Sequence, residues 1–167
     1  MNYSVLLDTS FIIRFLNKDD KLHKNAYDYY QYFLEKNITL KISTISIAEY
    51  CVVGKIEELP LKEIQIVPFN FDHSKRTGEF SKIIFRYNKD AIEKFYPRAI
   101  IPNDSKLFSQ ADLDERIRYF VTSDERSLKT LEALKSGTTL NFEIISIRIP
   151  CSEFFSQKHH QNNLFPN

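Results

Sequence analysis

Short apolar or β-branched runs alternate with longer stretches of helical periodicity along most of this chain, and that alternation limits the fold more than any other feature. Residues 3–7, 38–43 ("ITLKIS"), 118–122 ("RYFVT") and 142–147 ("FEIISI") read as strands, while "EIQIVPF" at 63–69 is a strand or an extended connection. A helix is predicted over 9–17, where Phe11, Ile12, Phe15 and Leu16 share one face. A second opens at Asp19 and Asp20 and runs to about residue 37, with Leu22, Ala26, Tyr29, Tyr30 and Phe33 at helical spacing. Further helices are predicted over 44–53, 71–87, 89–96, 104–117 and 124–135, and the polar "QKHHQNNLFPN" reads as a frayed terminus. Strands alternating with helices imply a three-layer α/β/α sandwich around a mostly parallel sheet, here one domain over 1–150 followed by a C-terminal tail at 151–167.

Composition agrees with that plan. A chain near 167 residues buries roughly 70% of the surface its unfolded form exposes, enough for a sizeable core. With 43% hydrophobic residues and only 3 Gly and 6 Pro, a low-complexity or linker-rich chain is excluded. The formal charge of +1 offers nucleic acid no bulk attraction, so any such binding needs a local basic face set against an acidic one. Cys51 and Cys151 have no Cys or His at short spacing, which points to free thiols in a reducing cytosol rather than a zinc site or disulfide. Asp8 and Arg14 interrupt the apolar run near the N-terminus, and no stretch approaches the ~18 apolar residues of a membrane span. A cytoplasmic location without membrane contact is the expectation.

In an open parallel sheet, ligands gather beyond the carboxyl ends of the strands. Four acids belong there. Asp8 ends the first strand in "SVLLDTSFIIRFL", and Asp124 follows the late strand in "FVTSDERSL". Glu49 lies one to two turns into the helix after 38–43, and Asp104 opens the helix that precedes 118–122. Each has a second reading at a helix start: Asp8, Asn103 or Asp104, and Ser123 or Asp124 as N-caps, and "SIAE" at 46–49 as a capping box. Caps do not explain why all four acids fall near one sheet edge. Ionised together they repel, a penalty that a divalent cation removes, and oxygen ligands without His or Cys favour Mg²⁺ or Mn²⁺. Metal-assisted phosphodiester hydrolysis is the chemistry that such a set suits.

These segments resemble a known family. "VLLDTSFII" is similar to the opening motif of PIN domains, "STISIAEY" to the segment carrying their glutamate, "NDSKLFSQA" to the helix bearing their third acid, and "YFVTSDERSL" to their closing strand. The resemblance spans roughly residues 4 to 147. It implies a PIN-like fold in which Asp8, Glu49, Asp104 and Asp124 form an acidic Mg²⁺ or Mn²⁺ pocket, with Thr122 supporting the last acid. Members are typically metal-dependent ribonucleases, many small ones are toxins of toxin–antitoxin pairs, and small members are often dimers. RNA, an antitoxin protein and a second copy of the chain are therefore the expected partners.

An acidic pocket needs a basic rim to hold RNA. Arg14 and Arg126 are the main candidates, with Lys18, Arg116, Arg118 and Lys129 beside them and Lys75 and Arg76 farther off. In "AYDYYQYF", the helical spacing of Tyr29, Tyr30 and Phe33 suits a core or dimer seam better than base stacking. Two other functions compete. A PIN-like module without catalysis would serve as an RNA-binding or scaffold partner. A phosphatase of the haloacid dehalogenase type would want a second Asp two residues after Asp8, where this chain has Ser10.

Overall fold

The structure, a computed structural model, describes residues 3–87 and 103–164, with side chains as far as residue 158. In chain order its elements are β1 (Ser4–Leu7), α1 (Thr9–Leu16), α2 (His23–Glu35), β2 (Thr39–Ser43), α3 (Thr44–Tyr50), a 3-10 turn (Ile56–Glu58), β3 (Ile64–Val67), α4 (Phe71–Tyr87), α5 (Asn103–Leu113), β4 (Ile117–Thr122), α6 (Glu125–Lys135), β5 (Glu143–Ser146) and α7 (Cys151–Leu164). The strands form one sheet in the order β3-β2-β1-β4-β5, and every adjacent pair is parallel. "SVLL" in β1 is buried at all four positions because it is the central strand, covered on both faces. The edge strands β3 and β5 keep exposed or half-exposed positions.

Side-chain alternation along the strands divides the core in two. Val5, Leu7, Leu40, Ile42, Tyr119, Val121 and Ile145 join Phe11, Ile12, Tyr29, Phe33 and Cys151 on one face of the sheet. Leu6, Ile117 and Phe120 pack on the other face with Phe80, Leu107, Phe108, Leu131 and Leu134. The sandwich is thus α1, α2 and α7 on one side and α4, α5 and α6 on the other. Tyr29, Tyr30 and Phe33 are core residues, and no helix among the described residues is long and apolar enough to cross a membrane. Cys51 and Cys151 are both free thiols.

Helix ends explain where boundaries differ from the predicted ones. Helix α2 starts at His23 rather than at Asp19 or Asp20, because Asp20 accepts the Leu22 backbone N–H on Oδ1 (2.8 Å) and the His23 N–H on its carbonyl (2.9 Å), which makes a turn before the helix. It stops at Glu35, where Asn37, with a φ of 52°, and the Asn37 N–H to Leu34 O and Ile38 N–H to Phe33 O bonds form a Schellman cap. Helix α5 ends at Leu113, short of residue 117, since Asp114 accepts the Ile117 N–H on its carbonyl (2.8 Å) and turns the chain into β4. The terminus predicted to fray from Gln157 continues helix α7 to Leu164, and Phe154 and Phe155 earlier in that helix pack on the core beside Tyr29 and Tyr119. The helix predicted over 89–96 lies outside the described residues.

Between α4 and α5 the contact is polar as well as apolar. Thr77, Ser81, Ser109 and Gln110 are all buried there. Thr77 Oγ1 lies 2.9 Å from Ser109 Oγ, Ser81 Oγ donates to Thr77 O, and Gln110 Nε2 donates to Val67 O. The Thr77, Ser81 and Ser109 hydroxyls satisfied in this way cost little, while Gln110 Oε1 is buried without a partner.

Candidate active site

The strand order reverses between β1 and β4: from β1 the chain builds outward through β2 and β3, then returns to place β4 on the other side of β1. Such a switch point opens a crevice at the carboxyl ends of the two strands. A cleft of about 530 Å³ lies there, lined by Asp8, Glu49, Asp104, Asp124 and Arg126 together with neutral side chains. All four predicted acids therefore face one cavity, each delivered by a different element.

Asp8 stands at the junction of β1 and α1, 6% exposed, with its backbone N–H bonded to Val121 O of the neighbouring strand (3.0 Å). Its backbone is extended at the N-cap position, yet the side chain makes no cap hydrogen bond. Instead Oδ2 accepts from Ser10 Oγ at 2.5 Å and Thr122 Oγ1 at 2.7 Å. Both donors converge on one oxygen and leave Oδ1 engaged by neither. Burial pushes the Asp8 carboxyl above its usual range, the two hydroxyls oppose that rise, and the Glu49 charge adds to it.

Thr122 and Ser10 tie the two strand ends together. Thr122 Oγ1 accepts the Asp124 N–H (3.0 Å), and Ser10 Oγ accepts the Ser123 N–H (2.9 Å). Thr122 thus contacts Asp8 through its hydroxyl proton and Asp124 through its lone pair. Asp124 caps α6 by accepting the Arg126 N–H on Oδ1 (2.9 Å), so capping and cleft lining coexist in that residue. The Arg126 guanidinium holds the Asp124 carboxyl below its usual range.

Glu49 does not form a capping box. Helix α3 already begins at Thr44, capped by Ser43 accepting the Ile45 N–H, so Glu49 sits within the helix and points to the cleft. Thr9 Oγ1 donates to Glu49 Oε2 and Asn103 Nδ2 donates to Oε1. Asp104 lies in the first turn of α5 with one long bond from Ser127 Oγ, 3.3 Å. Burial, then the charges of Asp8 and Asp124, raise its carboxyl to about 6.

The predicted basic rim is only partly at the cleft. Arg126 lines it. Arg14 is ion-paired with Asp20 beyond the end of α1 and does not line the cavity. Arg116 and Arg118 flank the start of β4, at the opposite end of the sheet, where Arg118 lies over Tyr3. Arg76 is committed to Asp112 and Glu79. Two cations that the sequence did not single out stand near the acids: Lys106, bonded to Asn103 Oδ1 (3.1 Å), and Arg148, bonded to Ser123 O (3.1 Å). Thr9, Ser10 and Asn103 were legible only as helix-start residues, although each is within two residues of a singled-out acid.

The donor set suits a hard divalent ion in kind, being four carboxylates on one cleft with no nitrogen or sulfur ligand, and the Asp104 carboxyl is raised by burial and then by the charges of Asp8 and Asp124. Among the described residues, however, no three acidic, His or Cys side chains are gathered into a ready-made cage; Asp8, Glu49 and Asp124 are each held by protein donors.

No family model matches the chain, and no curated protein does. Among solved structures, the fold is similar to the crystal structure of DNA-bound VapBC from Salmonella typhimurium, with a TM-score of 0.51 and 14% sequence identity, over 87% of this chain and 98% of that chain. At that identity the likeness is one of fold.

Proposed function

We propose that this chain is a PIN-type endoribonuclease that uses Mg²⁺ or Mn²⁺, and that it is the toxin of a toxin–antitoxin pair. The observation that carries the reading is the convergence of Asp8, Glu49, Asp104 and Asp124, from four separate elements, on the cleft at the switch point. The fold's likeness to DNA-bound VapBC supports the choice of family and of an antitoxin as partner. Asp8, Asp104 and Asp124, with Glu49 beside them, would hold the ion. When bound, it neutralises the attacked phosphate and lowers the pKa of a bound water.

The chain's own residues supply the rest. Ser10 and Thr122 fix Asp8 through one oxygen, so its other oxygen keeps a defined aim. Thr9 and Asn103 hold the Glu49 carboxylate from both sides, which suits it to orient a water and take its proton as the water oxygen attacks phosphorus and a P–O ester bond breaks. Arg126 and Arg148 offer guanidinium groups to backbone phosphates.

The test is a defined RNA pool incubated with the purified protein and Mg²⁺ or Mn²⁺, with new ends mapped. Cuts are expected that vanish with chelator and in a folded Asp8→Asn variant; cuts that persist in that variant overturn the assignment. A non-catalytic RNA-binding module is the second reading, favoured by the pairing of Asp124 with Arg126. It predicts RNA binding without metal uptake, which calorimetry distinguishes.

A further inference from the structure

Arg126 is the sole cation among the described side chains that line the cleft, set against four carboxylates. Its Nε lies 3.2 Å and 3.0 Å from the two Asp124 oxygens, and its Nη2 lies 2.7 Å from Oδ2. Both oxygens of one carboxylate are therefore taken by charge-assisted bonds, the stronger kind of hydrogen bond. The side chain is otherwise 86% exposed, so Asp124 is the group that holds it in place.

We infer that Arg126 is the resident counter-cation of the cleft, and that a divalent ion must displace it from Asp124 in order to bind. This deepens the metal-dependent reading and rests on it. A guanidinium does not lose its proton in proteins, and it holds the Asp124 carboxyl ionised, so near neutral pH the pair is broken by a competing cation. The tether is short, two residues along the first turn of α6, which keeps the guanidinium close to Asp124 in every turnover. Once released, it remains at the mouth of the cleft, where a phosphate oxygen can replace the carboxylate as its partner. Arg126 is then a positioning residue, occupying the site before the metal and serving the RNA backbone after it.

Substitution leaves the helix cap intact, because Asp124 accepts the backbone N–H of Arg126 and not only its side chain. Calorimetric titration of the full chain with Mn²⁺ should therefore show Arg126→Ala binding about two- to fivefold more tightly than the unaltered protein, the upper part of the range expected for removing an exposed ion pair. Arg126→Lys, which keeps the charge but not the fork, should fall between the two. In an Asp124→Asn background, where no pair remains to be broken, Arg126→Ala should give no comparable tightening. Equal or weaker Mn²⁺ binding by Arg126→Ala overturns the inference and leaves the metal-dependent reading standing. Absence of Mn²⁺ uptake by every variant and by the unaltered chain overturns both.

Discussion

Helix α5 carries a buried aspartate near one end and a half-buried one near the other, and the two are treated in opposite ways. Asp112, 3% exposed, receives Arg76 at 2.8 Å on Oδ2 and the Asn141 N–H at 2.9 Å on Oδ1. Arg76 in turn lies over the Phe80 ring, 4.5 Å from its centroid. Asp104, eight positions earlier on the same helix, has only the 3.3 Å contact with Ser127 and looks across the cleft at Asp8 and Asp124. Burial with a complete set of donors makes a carboxylate a structural pin. Burial without one leaves a charge waiting for a partner from outside, and such groups mark functional sites more often than chance.

The largest effect expected from probing that contrast lies at the satisfied end. Arg76→Met would leave Asp112 buried without its cation and should cost about 3 to 5 kcal/mol in denaturant unfolding, while RNA cleavage per folded molecule stays unchanged. A loss under about 1 kcal/mol would show that Asp112 is no better anchored than a surface acid.

At the unsatisfied end the sign reverses. The Asp104 carboxyl titrates at about 6 in the folded chain against 3.8 as its ordinary value. Folding thus favours the protonated form, so its contribution to stability is full below pH ~3.8 and is lost as pH rises through ~6. Asp104→Asn should accordingly raise metal-free stability by about 1 to 3 kcal/mol at pH 8 and by nearly nothing at pH 4. The same variant should lose metal-dependent cleavage. Denaturation curves at the two pH values decide it, and a variant less stable at pH 8 would remove Asp104 from the comparison.

The smallest effect concerns the acid between these extremes. Glu49 is held by neutral donors, so Asn103→Leu should slow turnover about fivefold, the worth of one hydrogen bond, with little change in KM. A change confined to KM would instead place Asn103 in substrate binding.

What the sequence disclosed follows from the kind of force at work. The strands and α4 were readable because apolar periodicity reports burial directly: "SVLL" is continuous since β1 is central, and 71–87 is a helix with the bounds expected. Boundaries failed where a side chain caught the backbone locally, as Asp20 does at the Leu22 N–H before α2 and Asp114 does at the Arg116 N–H after α5. Lys41 defeats periodicity differently: it lies inside β2 on a covered face, only 7% of its side chain exposed, because Asp114 from the end of α5 meets it. The four acids that line the cleft were legible from their places near one sheet edge, Asp8 and Asp124 just after strands, Glu49 within the helix after β2 and Asp104 at the start of the helix before β4. Thr122 was expected beside Asp124, but Thr9 and Asn103 were not expected as partners of Glu49, since they reach it across 40 and 54 residues of chain, a pairing that spacing along the sequence does not encode.

The hydroxyl seam between α4 and α5 has a consequence for that cleft. Apolar surfaces can slide along one another at modest cost, but Thr77 opposite Ser109 pins α5 to α4, and Gln110 on the Val67 carbonyl pins it to the end of β3. A slip of one helical turn, about 5.4 Å, would strand these groups without partners and carry Asp104 well away from Asp8. The height of a carboxylate above the sheet is therefore gauged more than a turn away, by residues that never meet a substrate.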